Sequence, residues 1–241
     1  MRSARRRYTE RALVIEGLRL VREALAVDWV FYTEDFAAGA EAQVLLATLE
    51  ARDARLWSVS PEVLRAISDT ETPQGIVALV PIPELGPAAA PTLRLALDGV
   101  RDPGNLGTIL RAAWAAGVEW VLLPPGVVDP TNPKVLRAGM GAHFHVPVQR
   151  CAADELPALT VGTAVWLADV DGAMPYDAVD WRAPITLVVG GEATGAGPDV
   201  RALVGERRVF IPMARGVESL NAAMAATVLL FEIARQRRMP M

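Results

Sequence analysis

The sequence predicts an α/β protein in which a small N-terminal α/β unit precedes a larger C-terminal domain built on a mostly parallel sheet. Three observations lead there. Short apolar runs of strand length alternate with amphipathic, helix-length segments along the chain, the pattern of strands covered by helices on both faces. The segment Pro81-Ile82-Pro83-Glu84-Leu85-Gly86-Pro87-Ala88-Ala89-Ala90-Pro91 packs four prolines and a glycine into eleven residues, which neither a helix interior nor a central strand tolerates. It divides the chain into an N-terminal domain (1–80), a linker (81–91) and a C-terminal domain (92–241). Finally, 241 residues that are 52% hydrophobic and 22% charged have the make-up of a globular protein of one or two domains.

In the N-terminal unit, Leu13, Val14, Leu18, Val21 and Leu25 recur at helical spacing and predict an amphipathic helix over 12–26. Residues 27–32 read as a strand. Residues 37–54 form a proline-free helix with Val44, Leu45 and Leu49 along one face, and 56–59 a short strand. Ser60 and Pro61 supply an N-cap and a first-turn proline for a helix reaching Ile67. A strand over 75–80 closes the unit. In the C-terminal domain, 93–97 is an apolar strand and 105–116 a helix capped by Gly117. Strands follow at 120–123 and 146–148, with a helix over 135–140 between them. Further strands fall at 163–168, 185–189 and 209–211, and a last helix runs over 219–238.

The net charge of −4 hides an uneven distribution. Arg2, Arg5, Arg6, Arg7, Arg11, Arg19 and Arg22 crowd the first 22 residues against Glu10 and Glu16. Two readings stand: a solubilising arginine-rich tail, or an arm that touches RNA phosphates. On the second, Arg5, Arg6, Arg7 and Arg11 are the contacts. Tyr8-Thr9-Glu10-Arg11 follows the basic start where a secretory signal would turn apolar. No apolar run nears the ~20 residues of a membrane span, and the single cysteine, Cys151, cannot form an internal disulfide. A cytoplasmic protein with no membrane partner is expected.

In parallel sheets, ligands gather beyond the carboxyl ends of strands, and three such loops carry unusual residues. One is Asp98-Gly99-Val100-Arg101-Asp102-Pro103-Gly104-Asn105, which leads into a helix holding Arg111 two turns further on. Another is Gly190-Gly191-Glu192-Ala193-Thr194-Gly195, where two glycines would let a backbone approach a ligand. The last is Ile211-Pro212-Met213-Ala214-Arg215-Gly216-Val217-Glu218-Ser219-Leu220-Asn221, where Ser219 can cap the final helix. Neither G-x-x-x-x-G-K-[ST] nor G-x-G-x-x-G is present between a strand and a helix.

In combination and order these loops resemble the three motifs of the SpoU/TrmH methyltransferases of the SPOUT superfamily. The likeness runs from Leu95 to Arg238 and takes in Asp129-Pro130-Thr131-Asn132-Pro133-Lys134 and Met140-Gly141-Ala142. Ile15-Glu16-Gly17 and Thr72-Pro73-Gln74-Gly75 look like that family's substrate-binding domain. The resemblance implies a deep trefoil knot in the C-terminal domain, a homodimer, and transfer of a methyl group from S-adenosylmethionine to a ribose 2′-hydroxyl of RNA. Large-subunit ribosomal RNA is the preferred target and transfer RNA the second. By match, Asn105, Arg111, Glu192, Ser219 and Asn221 are the catalytic positions, and Arg111 also contacts RNA. Backbone groups of Leu167, Ala168, Gly190, Gly191, Ile211, Pro212, Met213 and Leu220 hold the cofactor.

The chemistry suits those residue types. A sulfonium donor needs neither metal nor covalent intermediate, only alignment and a proton acceptor. A guanidinium is a poor base and a good bidentate clamp for phosphate, so Arg111 is read as holding the phosphate beside the ribose. Asn105 and Asn221 are suited to hold the ribose or Arg111, and Glu192 a cation or a loop amide.

Plainer readings were weighed for the remaining polar residues. His143 and His145, two apart on the strand expected there, lack the further ligands of a metal site, so no metal is expected. Asp169 and Asp171 read as a solvated turn before Gly172. Cys151 reads as structural, and Met213 and Met224 as packing residues. Two other function classes remain: a knotted RNA-binding protein without activity, and a small-molecule α/β enzyme such as a nucleotide hydrolase. The five intact motif positions oppose the first, and the missing phosphate loop opposes the second.

Overall fold

In a computed structural model of the chain, residues 3–191 and 195–238 are described. The chain opens with α1 (Ala4–Glu10), β1 (Ala12–Glu16), α2 (Leu18–Glu23), β2 (Trp29–Tyr32), α3 (Glu34–Ala37), α4 (Ala40–Glu50), β3 (Arg55–Ser58), α5 (Pro61–Ile67) and β4 (Ile76–Pro81). The second half runs β5 (Leu93–Asp98), α6 (Pro103–Ala116), β6 (Trp120–Leu123), α7 (Pro133–Gly139), β7 (Val148–Arg150), α8 (Leu156–Leu159), β8 (Ala164–Ala168), β9 (Met174–Pro175), β10 (Ile185–Gly190), α9 (Pro198–Val204), β11 (Arg208–Phe210) and α10 (Ala222–Arg238). The first four strands form a mixed sheet in the order β1-β4-β2-β3, and the other seven a parallel sheet in the order β7-β6-β5-β10-β8-β11-β9.

The helix expected over 12–26 is a strand and a short helix instead. Leu13 and Ile15 point into the core at a two-residue period and pair with β4. Gly17 then turns the chain at φ 92°, where a side chain would strike Gln74. Leu20 and Val21 bury themselves from α2, but Leu25 is exposed. Leu13, Val14, Leu18, Val21 and Leu25 carry the helical spacing, Leu13 and Ile15 carry a two-residue one, and pairing with β4 decides for the strand. Gly39 likewise splits the helix expected over 37–54 into α3 and α4, and Val44 faces solvent while Ala42, Leu45 and Leu49 are buried. Ser60 caps α5 with Pro61 in its first turn, and Gly117 ends α6, as the sequence predicts.

Alternation within the central strands sorts the parallel sheet into two layers. Leu93, Leu95 and Leu97 of β5 face the layer of α6 and α10, where Leu106, Ile109, Leu110, Ala226, Leu230 and Ile233 close a core. Ala96 faces the other layer with Leu122, Leu167, Val200 and Val204. The two sheets are not separate bodies on a tether. Leu136 and Phe144, both from the larger unit, belong to the core of the smaller one beside Leu13, Ile15 and Leu20.

The strand expected at 146–148 begins later, at Val148. His143 instead sits on a short 3-10 turn (Ala142–Phe144) and His145 just after it, so the two do not share a strand face. His145 stacks on Trp114 with ring centroids 4.1 Å apart and lies 2.8 Å from Glu23. His143 is buried, and its Nε2–H donates to the Pro130 carbonyl at 2.9 Å. Burial pushes its imidazole down to about 4. A histidine whose folded value lies below its unfolded ~6.5 gives stability that is complete above that pH and lost as pH falls toward the folded value. Stability should therefore drop by about 3 kcal/mol between pH 6.5 and 4 from this residue alone. Urea denaturation across that window checks it: His143→Gln should flatten the slope by that amount, and an unchanged slope would contradict it.

Candidate active site

The carboxyl ends of β8, β10 and β11 converge with the segment between β11 and α10 on one cavity of about 570 Å³. The β5 and β10 loops meet there at backbone distance. A Cβ on Gly191 would collide with the carbonyl of Gly99, and one on Gly190 would lie 2.5 Å from the backbone of Gly195 and Ala196. The two glycines thus let one loop pass another while they also line the cavity. Asp98 at the end of β5 fixes the crossing by accepting the Gly197 N–H at 2.6 Å.

Of the positions expected to hold cofactor, Ala168, Gly190, Gly191, Ile211, Met213 and Leu220 line this cavity. Leu167 does not: its side chain is buried in the layer of α8 and α9. Pro212 does not reach the wall either. Strand-end backbone and apolar side chains such as Ile211, Leu220 and Leu229 make a lining that fits a flat heterocycle with polar edges. Asp169 corrects the expectation of a solvated turn. Its carboxylate is almost fully enclosed, 2.6 Å from Arg201, whose Nε–H also donates to the Ala196 carbonyl. This pair joins the end of β8 to α9 on the cavity wall. Asp171 is exposed, as expected. Cys151 is buried and its thiol is raised by that burial and by Glu155, which suits a structural role.

Among the expected catalytic residues, Asn105 and Asn221 meet. Asn221 Nδ2 donates to Asn105 Oδ1 at 3.0 Å. Asn221 Oδ1 accepts from the N–H groups of Ala223 and Met224, so Asn221 and not Ser219 caps α10. With its oxygen committed to the cap, Asn221 is placed to orient Asn105. Ser219 lies on the cavity wall. Arg111 sits on the exposed side of α6 with Gly104, Thr108 and Ala115, off the cavity wall and without a hydrogen bond or ion pair among the described residues. Its polar type in an apolar helix is explained by that face. Glu192 lies outside the described residues.

The arginine-rich start is an ordered helix. Ser3 caps α1 by accepting from the Arg6 N–H, and Arg7 is buried. Arg7 Nε donates to Thr131 Oγ1 at 2.9 Å, and its Nη2 lies 2.6 Å from Asp129, which also accepts from the Tyr8 hydroxyl. Burial alone would raise the Asp129 carboxyl, but the Thr131 amide and hydroxyl, Arg7 and Tyr8 hydrogen-bond to it and hold it below the usual carboxylate range. Arg7 is therefore removed from the RNA contacts, because its donors are spent inside the protein. Arg11 pairs with Glu84 on the surface. Arg5 and Arg6 are exposed and keep the expected availability.

Val217 and Leu220 are exposed at the cavity, and Met224, Val228 and Phe231 form an exposed apolar stripe along α10, with Met224 61% accessible. The four-and-three spacing of the last three was its signal.

Residues 92–231 match the model of the SpoU rRNA methylase family, and residues 1–78 that of the MRM3-like substrate binding domain. Mitochondrial rRNA methyltransferase 3 of Mus musculus is 36% identical over 94% of this chain and 68% of its own length. The 23S rRNA guanosine 2′-O-methyltransferase RlmP of Bacillus subtilis is 34% identical over 97% of this chain and 92% of its own. The SpoU methyltransferase AviRb of Streptomyces viridochromogenes, solved with S-adenosylmethionine, superposes with a TM-score of 0.85 at 27% identity, covering 98% of this chain and 94% of that one.

The buried arginine gives a test that separates anchoring from RNA contact. Arg7→Ala should cost about 3 kcal/mol in urea denaturation, because it strands the Asp129 carboxylate. Replacing Arg5 and Arg6 by alanine should change stability by less than about 0.5 kcal/mol. A mild Arg7→Ala would mean that α1 is not held as described.

Proposed function

This chain belongs to the SpoU rRNA methylase family, and we propose that it methylates a ribose 2′-hydroxyl of large-subunit ribosomal RNA. Its activity class is S-adenosylmethionine-dependent RNA 2′-O-ribose methyl transfer. The target RNA, the dimer and the individual residue roles are our reading. The observation that carries it is the meeting of the carboxyl ends of β8, β10 and β11 at one cavity, with Asn221, next in sequence to the wall residue Leu220, hydrogen-bonded to Asn105 of the β5 loop. The names of the Bacillus and mouse relatives support ribosomal RNA as target.

S-adenosylmethionine, when bound, supplies a methyl group already activated on a sulfonium. The protein then has to exclude water, orient the ribose and hold the neighbouring phosphate. The backbone at Ala168, Gly190, Gly191 and Ile211, with Met213 and Leu220, would hold the cofactor. Asn105, oriented by Asn221, would hold the ribose, and Ser219 would border it. Arg111 would clamp phosphate through two parallel hydrogen bonds. Exposed on α6, it suits a site completed by a second copy of the chain. The stripe of Met224, Val228 and Phe231, on the helix that follows Val217 and Leu220 of the cavity, would be the surface that the second copy covers. The trefoil path that the resemblance implies is part of the same proposal.

Arg111→Lys keeps the charge and loses the fork. It should leave the melt and S-adenosylmethionine binding unchanged while single-turnover methylation falls by on the order of a hundredfold. Near-normal turnover would remove Arg111 from the chemistry. Phe231→Glu puts charge into the proposed interface. It should convert a dimer to monomer in sedimentation and abolish methyl transfer with the fold intact. A Phe231→Glu protein that stays dimeric and active would show that this stripe is not the interface.

A further inference from the structure

Within the smaller sheet one face is left open in an unusual way. The register of β2 on β3 pairs Trp29 with Arg55 and Phe31 with Trp57, so in this parallel pair all four side chains project from the same face. The intervening Val30 and Leu56 turn to the core. The Trp29 ring lies 6.4 Å from Phe31 and 6.3 Å from Trp57, with planes only 14° and 12° apart, and the Arg55 guanidinium sits 5.0 Å from the Trp29 ring centre. α5 packs on β4, while Trp57, on the edge strand, remains 52% exposed.

We propose that this ladder of Trp29, Phe31 and Trp57 with Arg55 is a stacking platform for unpaired bases of the RNA, a contact separate from the methyl-transfer cavity. The inference rests on the RNA-methyltransferase reading above and names a surface that reading does not assign. A plain hydrophobic contact would not need three aromatic rings held nearly parallel. Flat bases do, because each base offers a π-face to such a platform whatever its sequence. The polar groups beside it, two arginines and two aspartates, can each meet a part of a nucleotide. At the Trp29 end the platform opens into a cleft with Arg52 and Arg55, and neither arginine has a carboxylate partner among the described residues. Asp28 and Asp53 share that cleft; they are suited to accept from base amino groups, while the two arginines meet the phosphates.

The test measures binding of the full-length protein to a single-stranded RNA of about 12 nucleotides and to a blunt RNA duplex of equal length. Trp57→Ala should weaken single-strand binding by on the order of tenfold. Trp57→Phe should recover most of it, and Arg55→Ala should weaken it and flatten its salt dependence. S-adenosylmethionine binding and the melt should stay unchanged in all three variants, and duplex binding should be unchanged in Trp57→Ala. Wild-type affinity in Trp57→Ala would overturn the platform and leave the methyltransferase reading standing. So would a Trp57→Ala protein that loses only a self-associated or protein-bound state. A wild-type protein that binds neither RNA would overturn the RNA reading and the platform with it.

Discussion

The larger sheet depends on two loops that cross at backbone contact. β5 and β10 run side by side at its centre, and the chain leaving each strand must pass the other with no side chain between them. Gly191 against Gly99 makes that passage possible, and the Asp98 carboxylate on the Gly197 amide pins it. Everything that lines the cavity hangs from the crossing. It sets where Gly190 and Gly191 lie relative to Ala168 on β8, and it leads into α9, whose Arg201 closes on Asp169. A substitution there would act on the cavity through the backbone.

A second constraint fixes the smaller sheet on the larger. Leu136 and Phe144 complete the core of a unit that would otherwise be short of apolar residues. Arg7, buried against Asp129 and Thr131, ties the first helix to the same loop whose Pro130 carbonyl receives His143. The proline-rich segment between the sheets therefore spans two bodies already held together, so a surface on one sheet keeps its place relative to the cavity on the other. An RNA held at Trp57 would be presented to the methyl-transfer site by a stiff frame.

The alternation of strands and helices, Ser60, Gly117 and most strand positions were legible in the sequence because they follow from local pattern. The segment 12–26 was not. Its apolar residues carry a helical spacing and, at Leu13 and Ile15, a two-residue one, and only β4, some 60 residues later, settles the matter. Among site residues, Asn105 and Asn221 were legible as members of motifs, but not as a hydrogen-bonded pair in which one orients the other. The burial of Arg7 was hidden because its partners, Asp129 and Thr131, lie more than a hundred residues away. Arginine type alone does not separate a phosphate contact from a buried tie. The glycines at 190 and 191 are legible as a place of close approach, but the backbone of Gly99, Gly195 and Ala196 that approaches them is not. Strand alternation sends the Leu167 side chain into the opposite layer, which leaves only its backbone to face the strand end.

The strand order also governs when the molecule can assemble. β8 pairs with β10 on one side and β11 on the other, and among the described residues β9 pairs only with β11. Both partners of β8 are synthesised after it. A chain emerging from the ribosome can close β1 to β4 and align β5, β6 and β7 early, yet the residues of β8 and β9 wait without these strand neighbours until β10 and β11 arrive. During that interval Val165 and Leu167, buried in the finished protein, have no sheet to enter, and the exposed segment is open to the wrong partners. Completion of the catalytic half thus waits on the synthesis of β10 and β11.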